Sequence, residues 1–317
     1  MRLTSGYKFA GPESPGGLLG LWNAHKKVFL ICGSIIAVLV IALAVALGVG
    51  LHSSSHDNSG GVTPNLNYSV ANATQFSGWN PEAGVTWQIV LQSALNDTSA
   101  DVDVYDIDLF TNSASTISTL QRLGRKVICY FSAGSYEDFR PDSSDFQKTD
   151  YGKGLDGWQG EWWLNTNSSN VRAIMIKRLD LAVQKGCDGV DPDNIDGYDN
   201  DTGLDLTEDT AIEYLTFLAS EAHSRNLAIG LKNGGNIVNQ TLAMMQWQVN
   251  EQCEQFSECG LYTPFITANK PVFHIEYPSS APAVSADTKS TICDNPAIAG
   301  FSTVIKKMIL DAWIETC

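Results

Sequence analysis

Five aspartates crowd the fourteen residues CDGVDPDNIDGYDN, from Cys187 to Asn200: Asp188, Asp191, Asp193, Asp196 and Asp199. No basic residue accompanies them. Adjacent carboxylates repel one another, so such a stretch is a metal loop, a solvated turn or part of an acid–base site. A calcium loop requires D-x-[DN]-x-[DN]-G followed by a distant Glu, and DPDNIDG matches that pattern only in part, so no metal is expected. Asp188, Asp196 and Asp199 read as turn or capping residues, the last two in a loop open to water. Asp191 and Asp193 are two residues apart, and in a strand they share one side.

The elements that would position them come from the hydrophobic pattern. Short apolar runs at 86–92, 103–110, 126–134, 189–194, 227–233, 245–251, 271–277 and 301–307 read as eight strands. Helical patterns lie between them. Residues 113–125 place Ile117, Leu120 and Leu123 on one face, and 171–186 closes on Gly186. Residues 207–226 open on Thr207 and place Ile212, Leu215, Leu218 and Ala219 together. Strand alternating with helix predicts an α/β fold, a (β/α)8 barrel of TIM type. A doubly wound open sheet would carry a Gly-rich nucleotide loop after its first strand, and none is present.

Active sites of such barrels lie at the C-terminal strand ends. Polar residues occupy six of those ends here: Asp106 and Asp108; Tyr130 and Ser132; Asp191 and Asp193; Lys232 and Asn233; Asn250 and Glu251; Glu276 and Tyr277. Partial burial of each costs desolvation that a purely structural barrel has no reason to bear. Carboxylates without clustered His or Cys point to hydrolysis of a glycosidic bond, with one acid protonating the leaving oxygen and a second attacking carbon or activating water. Glu276 is either a rival to Glu251 or a salt-bridge partner. Trp158, Trp162, Trp163 and Tyr198 are candidates to stack on sugar rings, although WQGEWW equally suits core packing. His223 lies mid-helix and reads as structural. Ser132 lacks a G-x-S-x-G context, which argues against a serine hydrolase.

Charge narrows the partner. The formal net charge is -15. Residues 1–51 carry a balance of +3, which leaves -18 on the remainder. Such a chain repels nucleic acid and anionic lipid surfaces and attracts cations. Residues 28–51 are uncharged for 24 positions, roughly 36 Å of helix against a hydrocarbon core of about 30 Å. His25, Lys26 and Lys27 precede this stretch and no Lys or Arg follows it closely. The expectation is therefore a cytoplasmic tail (1–27), a type II transmembrane anchor (28–51), a Ser/Asn-rich stalk (52–75) and an extracellular domain (76–317) on the cell membrane. Six N-x-[ST] sequons, at Asn67, Asn72, Asn96, Asn167, Asn200 and Asn239, agree with that orientation. Of seven cysteines, Cys32 falls in the anchor. Cys253 and Cys259 close a short loop, Cys293 is placed to secure Cys317, and Cys129 and Cys187 either pair or remain thiols.

The motifs YDIDLF, VICYFSAGSYEDFRPD, CDGVDPDNIDGY, GLKN and WQVNEQC together resemble glycoside hydrolase family 114, over roughly Gln75 to Cys317. The resemblance implies a (β/α)8 barrel that needs no cofactor and cleaves α-1,4-linked galactosamine inside a polymer, with retention. It implies Asp193 as nucleophile and Glu251 as general acid/base, with Asp106, Asp108, Tyr130, Asp191, Lys232 and Asn233 lining the substrate groove. Many members of that family read CDGVEPDN, so Asp191 is one methylene shorter than its counterpart. The expected protein is a monomer acting on a cationic polysaccharide. The competing expectation is an inert barrel that binds the same polymer.

Overall fold

The computed structural model describes residues 76–317. The expected tail, anchor and stalk, with Cys32, Asn67 and Asn72, lie outside the described residues. Among the described residues no helix is long and apolar enough to cross a membrane.

Eight parallel strands follow one another in chain order: β1 (Trp87–Val90), β2 (Val104–Asp108), β3 (Lys126–Ser132), then β7 (Gly189–Asp193), β8 (Ala228–Lys232), β9 (Trp247–Glu251), β10 (Val272–Glu276) and β11 (Ser302–Ile305). All eight coincide with the apolar runs. The sheet curls until β1 and β11 are bridged by side chains. Trp87 Nε1 donates to the Ser302 carbonyl (2.8 Å), Ser302 Oγ to the Val85 carbonyl (2.6 Å) and Lys306 Nζ to Gln88 Oε1 (2.6 Å). A short strand β12 (Glu315–Thr316) pairs antiparallel with β11, and the Cys293–Cys317 disulfide secures it. The other two disulfides are Cys129–Cys187, joining β3 to the start of β7, and Cys253–Cys259.

Helices cover part of the outer face. Helix α1 (Ala114–Arg122) is capped by Ser113, whose side chain accepts from the Thr116 amide. Helix α2 (Ser169–Lys185) ends on Gly186 at φ 86°, a left-handed C-cap that glycine adopts without strain. Helix α3 (Glu208–Ser224) opens with Thr207 and Thr210 capping each other. The strand–helix alternation is less regular than the sequence pattern predicts. No helix follows β1, and after β8 and β9 the helices are single turns: α4 (Val238–Thr241), α5 (Cys253–Phe256) and α6 (Thr263–Thr267). Helix α7 (Ala286–Cys293) follows β10. Leu123 is not on a buried face; it lies beyond the last helical residue, as the C-cap of α1, and is 53% exposed.

A three-stranded antiparallel sheet is inserted between β3 and α2. It consists of β4 (Ser135–Glu137), β5 (Tyr151–Gly154) and β6 (Glu161–Leu164), in the order β4-β6-β5. Its hairpin turns on Gly157 and Gly160, both at positive φ. The stretch GLDGWQGEWW carried this signal: glycine turns flanked by aromatic residues.

Strand alternation divides the apolar residues into two cores. The larger lies between sheet and helices. The smaller fills the inside of the curl, with Trp87, Ile89, Val104, Ile128, Trp247, Val249, Phe273, Ile275 and Val304. The Trp247 ring fits there because β7 and β8 present Gly189 and Gly230. A Cβ on Gly230 would stand 2.0 Å from Trp247 Nε1, and one on Gly189 would stand 2.5 Å from the edge of the same ring. Gly230→Ala is therefore expected to overpack the inner core and lower stability by about 1–3 kcal/mol or more. A urea unfolding midpoint equal to that of the native protein would contradict this account of the packing.

Candidate active site

Because alternate residues face inward, each parallel strand delivers its last inward side chain to one rim. β7 delivers Asp193, β8 Lys232 and β9 Glu251. The next residue in each case, Asn194, Asn233 and Gln252, adopts a left-handed backbone (φ 60°, 49° and 64°). Asparagine tolerates that conformation better than most residues, and the chain turns sharply away from the rim there. The three functional side chains thus stand where their strands stop.

Lys232 is the hub. Its side chain is 2% exposed, and its Nζ lies 3.0 Å from Asp193 Oδ1 and 3.1 Å from Glu251 Oε2. Burial alone would lower the pKa of this ammonium. The Asp193, Glu251 and Asp191 carboxylates overcome that effect and hold it well above the usual lysine range. The two oxygens share one ammonium and so lie no more than about 6 Å apart, the close pairing of carboxylates that glycosidic hydrolysis uses.

Each carboxylate is oriented separately. Asp193 accepts from the Tyr130 hydroxyl (2.7 Å) and from the Asn194 amide (2.7 Å). Glu251 accepts from the Tyr277 hydroxyl. Both tyrosines are pushed well above their ordinary pKa, first by burial and then by the carboxylate each faces, so they remain donors. Asn233 Oδ1 accepts the Glu251 backbone amide (3.1 Å) and so fixes the tip of β9. Tyr277 belongs to the site although the sequence reading favoured its neighbour. Phe273 and Ile275 face inward, so the period of two makes residue 277 the inward one.

The remaining expected residues are dispersed. Asp106 and Asp191 are fully buried within β2 and β7, beneath the rim. Asp108 is 2% exposed and salt-bridged to Arg140 (2.5 Å), and it also accepts from the Phe110 and Thr111 amides. Glu276 lies on the other face of β10, where it accepts from His274 Nε2 (3.0 Å) and the Glu254 amide (2.9 Å). Glu254, His274 and Glu276 bring potential metal-ligand atoms within 4.8 Å of one another, away from the rim. Asp188 binds Lys126 and the Val127 amide and is structural. Asp199 is exposed as expected, but Asp196 is half-buried, not solvated; burial, then the Asp193 charge, pushes it to about 6. Among the aromatics, Trp158 is 57% exposed whereas Trp163 is buried. Trp162 packs on Tyr136 and Tyr151.

The inserted sheet adds acids that sequence reasoning missed. Glu137 and Glu161 are direct cross-strand partners, with like charges opposed. Arg140 binds Glu137 (2.7 Å) as well as Asp108, and Glu161 accepts from a hydroxyl, Ser135 Oγ (2.8 Å). Asn194 Nδ2 reaches the same hydroxyl (3.3 Å), which connects Glu161 to the neighbour of Asp193. Only pairing across strands reveals this wall, because Glu137 and Glu161 are far apart in the chain.

Two carboxylates set on one lysine at the mouth of a curled parallel sheet supply the acid and the second carboxylate that cleavage of an acetal needs, the chemistry of the glycoside hydrolases. The family model of glycoside-hydrolase family GH114 matches residues 69–317, and the chain belongs to this family. It is similar to Aspergillus fumigatus Ega3, solved in complex with galactosamine: 57% identity over 75% of this chain and 97% of that one, with a TM-score of 0.74. The glycoside hydrolase domain of Pseudomonas aeruginosa PelA has the same fold at 12% identity, covering 72% of this chain and 98% of that one with a TM-score of 0.57. No curated protein sequence matches the chain.

Burial, then the Glu137 charge, pushes Glu161 to about 7. The unfolded chain releases that proton near 4.5, so between about pH 4.5 and 7 unfolding is increasingly favoured by ionisation and stability falls as pH rises. Glu161→Gln should remove this penalty. Relative to the native protein, the variant is expected to gain on the order of 1 kcal/mol between pH 5 and pH 8, allowing for partial exposure. Paired thermal melts with a pH-independent difference would refute the assignment.

Proposed function

We propose that the protein is an endo-acting glycoside hydrolase that cleaves α-1,4-linked galactosamine in a cationic polysaccharide, with retention, on a (β/α)8 barrel. The observation that carries this reading is the single ammonium of Lys232 between Asp193 and Glu251 at 3.0 and 3.1 Å. The galactosamine bound to the Aspergillus relative supports the choice of sugar.

Asp193 attacks the anomeric carbon as Glu251 donates its proton to the departing glycosidic oxygen. A water then enters, gives its proton to Glu251 and its oxygen to the anomeric carbon, and frees Asp193. Tyr130, Lys232 and the Asn194 amide keep Asp193 aimed, and Tyr277 and Asn233 do so for Glu251. Galactosamine units carry ammonium groups at neutral pH, and an acidic mouth on a strongly anionic domain concentrates such a polymer. The same proposal places the domain outside the cell behind the anchor at 28–51. The exposed Asn96, Asn167, Asn200 and Asn239 are its described N-glycan acceptors.

Asp193→Asn and Glu251→Gln are each expected to lower kcat/KM by about 10²–10⁴-fold or more without unfolding the domain. Digestion of a defined galactosamine oligomer, with product masses and anomeric configuration followed over time, tests this directly. Full activity in either variant, or an inverted first product, would sink the mechanism. Activity should also fall as salt rises and on N-acetylated polymer; equal rates on both polymers would remove the role given to charge.

A further inference from the structure

Beneath the reacting carboxylates lie two more that the mechanism does not use. Asp106 on β2 and Asp191 on β7 are both fully buried. None of their four oxygens takes a hydrogen bond from a donor group among the described residues. They are instead within hydrogen-bonding reach of each other. Two ionised carboxylates in that position would each lack a donor and would repel across a few ångströms of low dielectric. One proton between them removes both difficulties, since the protonated member becomes the donor the other lacks.

We propose that Asp106 and Asp191 form a carboxyl pair holding one proton, with the proton on Asp106 and the charge on Asp191, and that this charge positions Lys232 between Asp193 and Glu251. The charged groups facing the pair are Lys232 from β8, Asp193 from the tip of β7 and Glu251 from β9, with Tyr130 of β3 beside Asp191 in register. The proton falls on Asp106 because the Lys232 ammonium favours the charged form of Asp191, and the Asp191 charge in turn raises Asp106. Burial raises both acids, Asp191 to about 7 and Asp106 well above the ordinary carboxylate range. The two are positioning residues: neither reaches the rim, and they act through the ammonium above them.

The pair rests on the proposed reaction only for its kinetic consequence, so two readouts separate the claims. Infrared difference spectra of the native full-length protein should show the carbonyl band of a buried protonated carboxylic acid, which Asp106→Asn removes. On a galactosamine oligomer, Asp191→Asn deletes the charge. It is expected to lower kcat about 10–100-fold with KM within about 3-fold, at roughly 1.4 kcal/mol per tenfold. Asp106→Asn mimics the protonated member and should lower kcat by less than about tenfold. A buried-acid band that Asp106→Asn leaves unchanged, or equal effects of the two substitutions on kcat, would overturn the proposal. If the native protein cleaves no galactosamine polymer, the reaction is wrong, and the infrared band still decides the pair.

Discussion

A lysine ammonium with 2% exposure cannot exist alone inside a protein. Lys232 dictates what must surround it: Asp193 and Glu251 in direct contact and the Asp191 charge below. That requirement binds β7, β8 and β9 together at one end. It also holds two carboxylates close without letting them repel each other. Hydrolysis of a glycosidic bond by two carboxyl groups requires them at a fixed separation.

The rest of the interior serves this hub. Below the rim the curl is filled by Trp87, Trp247, Phe273 and aliphatic residues, and Gly189 and Gly230 make room for the indole of Trp247. This close-packed apolar floor keeps the effective dielectric low and strengthens each contact above it. At the seam between first and last parallel strands, Lys306 bonds Gln88 and the Asp311 carbonyl and closes the curl with side chains. Burial lowers that amine to about 7, so much of the seam can be made by a neutral group.

Around the hub, carboxylates outnumber cations. Arg140 answers both Asp108 and Glu137, and Glu161 opposes Glu137 with no salt-bridge partner among the described residues. Such an excess is unfavourable in the free protein and becomes favourable when a cationic ligand arrives. The local imbalance has the same sign as the net charge of the whole chain.

The sequence by itself determined the eight parallel strands, because each is a short apolar run and alternation within it assigns every residue a face. It determined the caps at Thr207 and Gly186, and its family motifs singled out Asp193 and Glu251. What it could not determine was depth and cross-strand contact. Asp106, Asp108 and Glu276 look alike as acids near strand ends. Yet one is sealed beneath the rim, one is neutralised by Arg140 and one points away from the interior. The antiparallel insert, the Glu137–Glu161 pair and the place of Tyr277 likewise depend on which strands stand side by side. Local pattern fixes the direction of a side chain. Burial and electrostatic partners come from residues distant in the chain, and only tertiary structure brings them within a few ångströms.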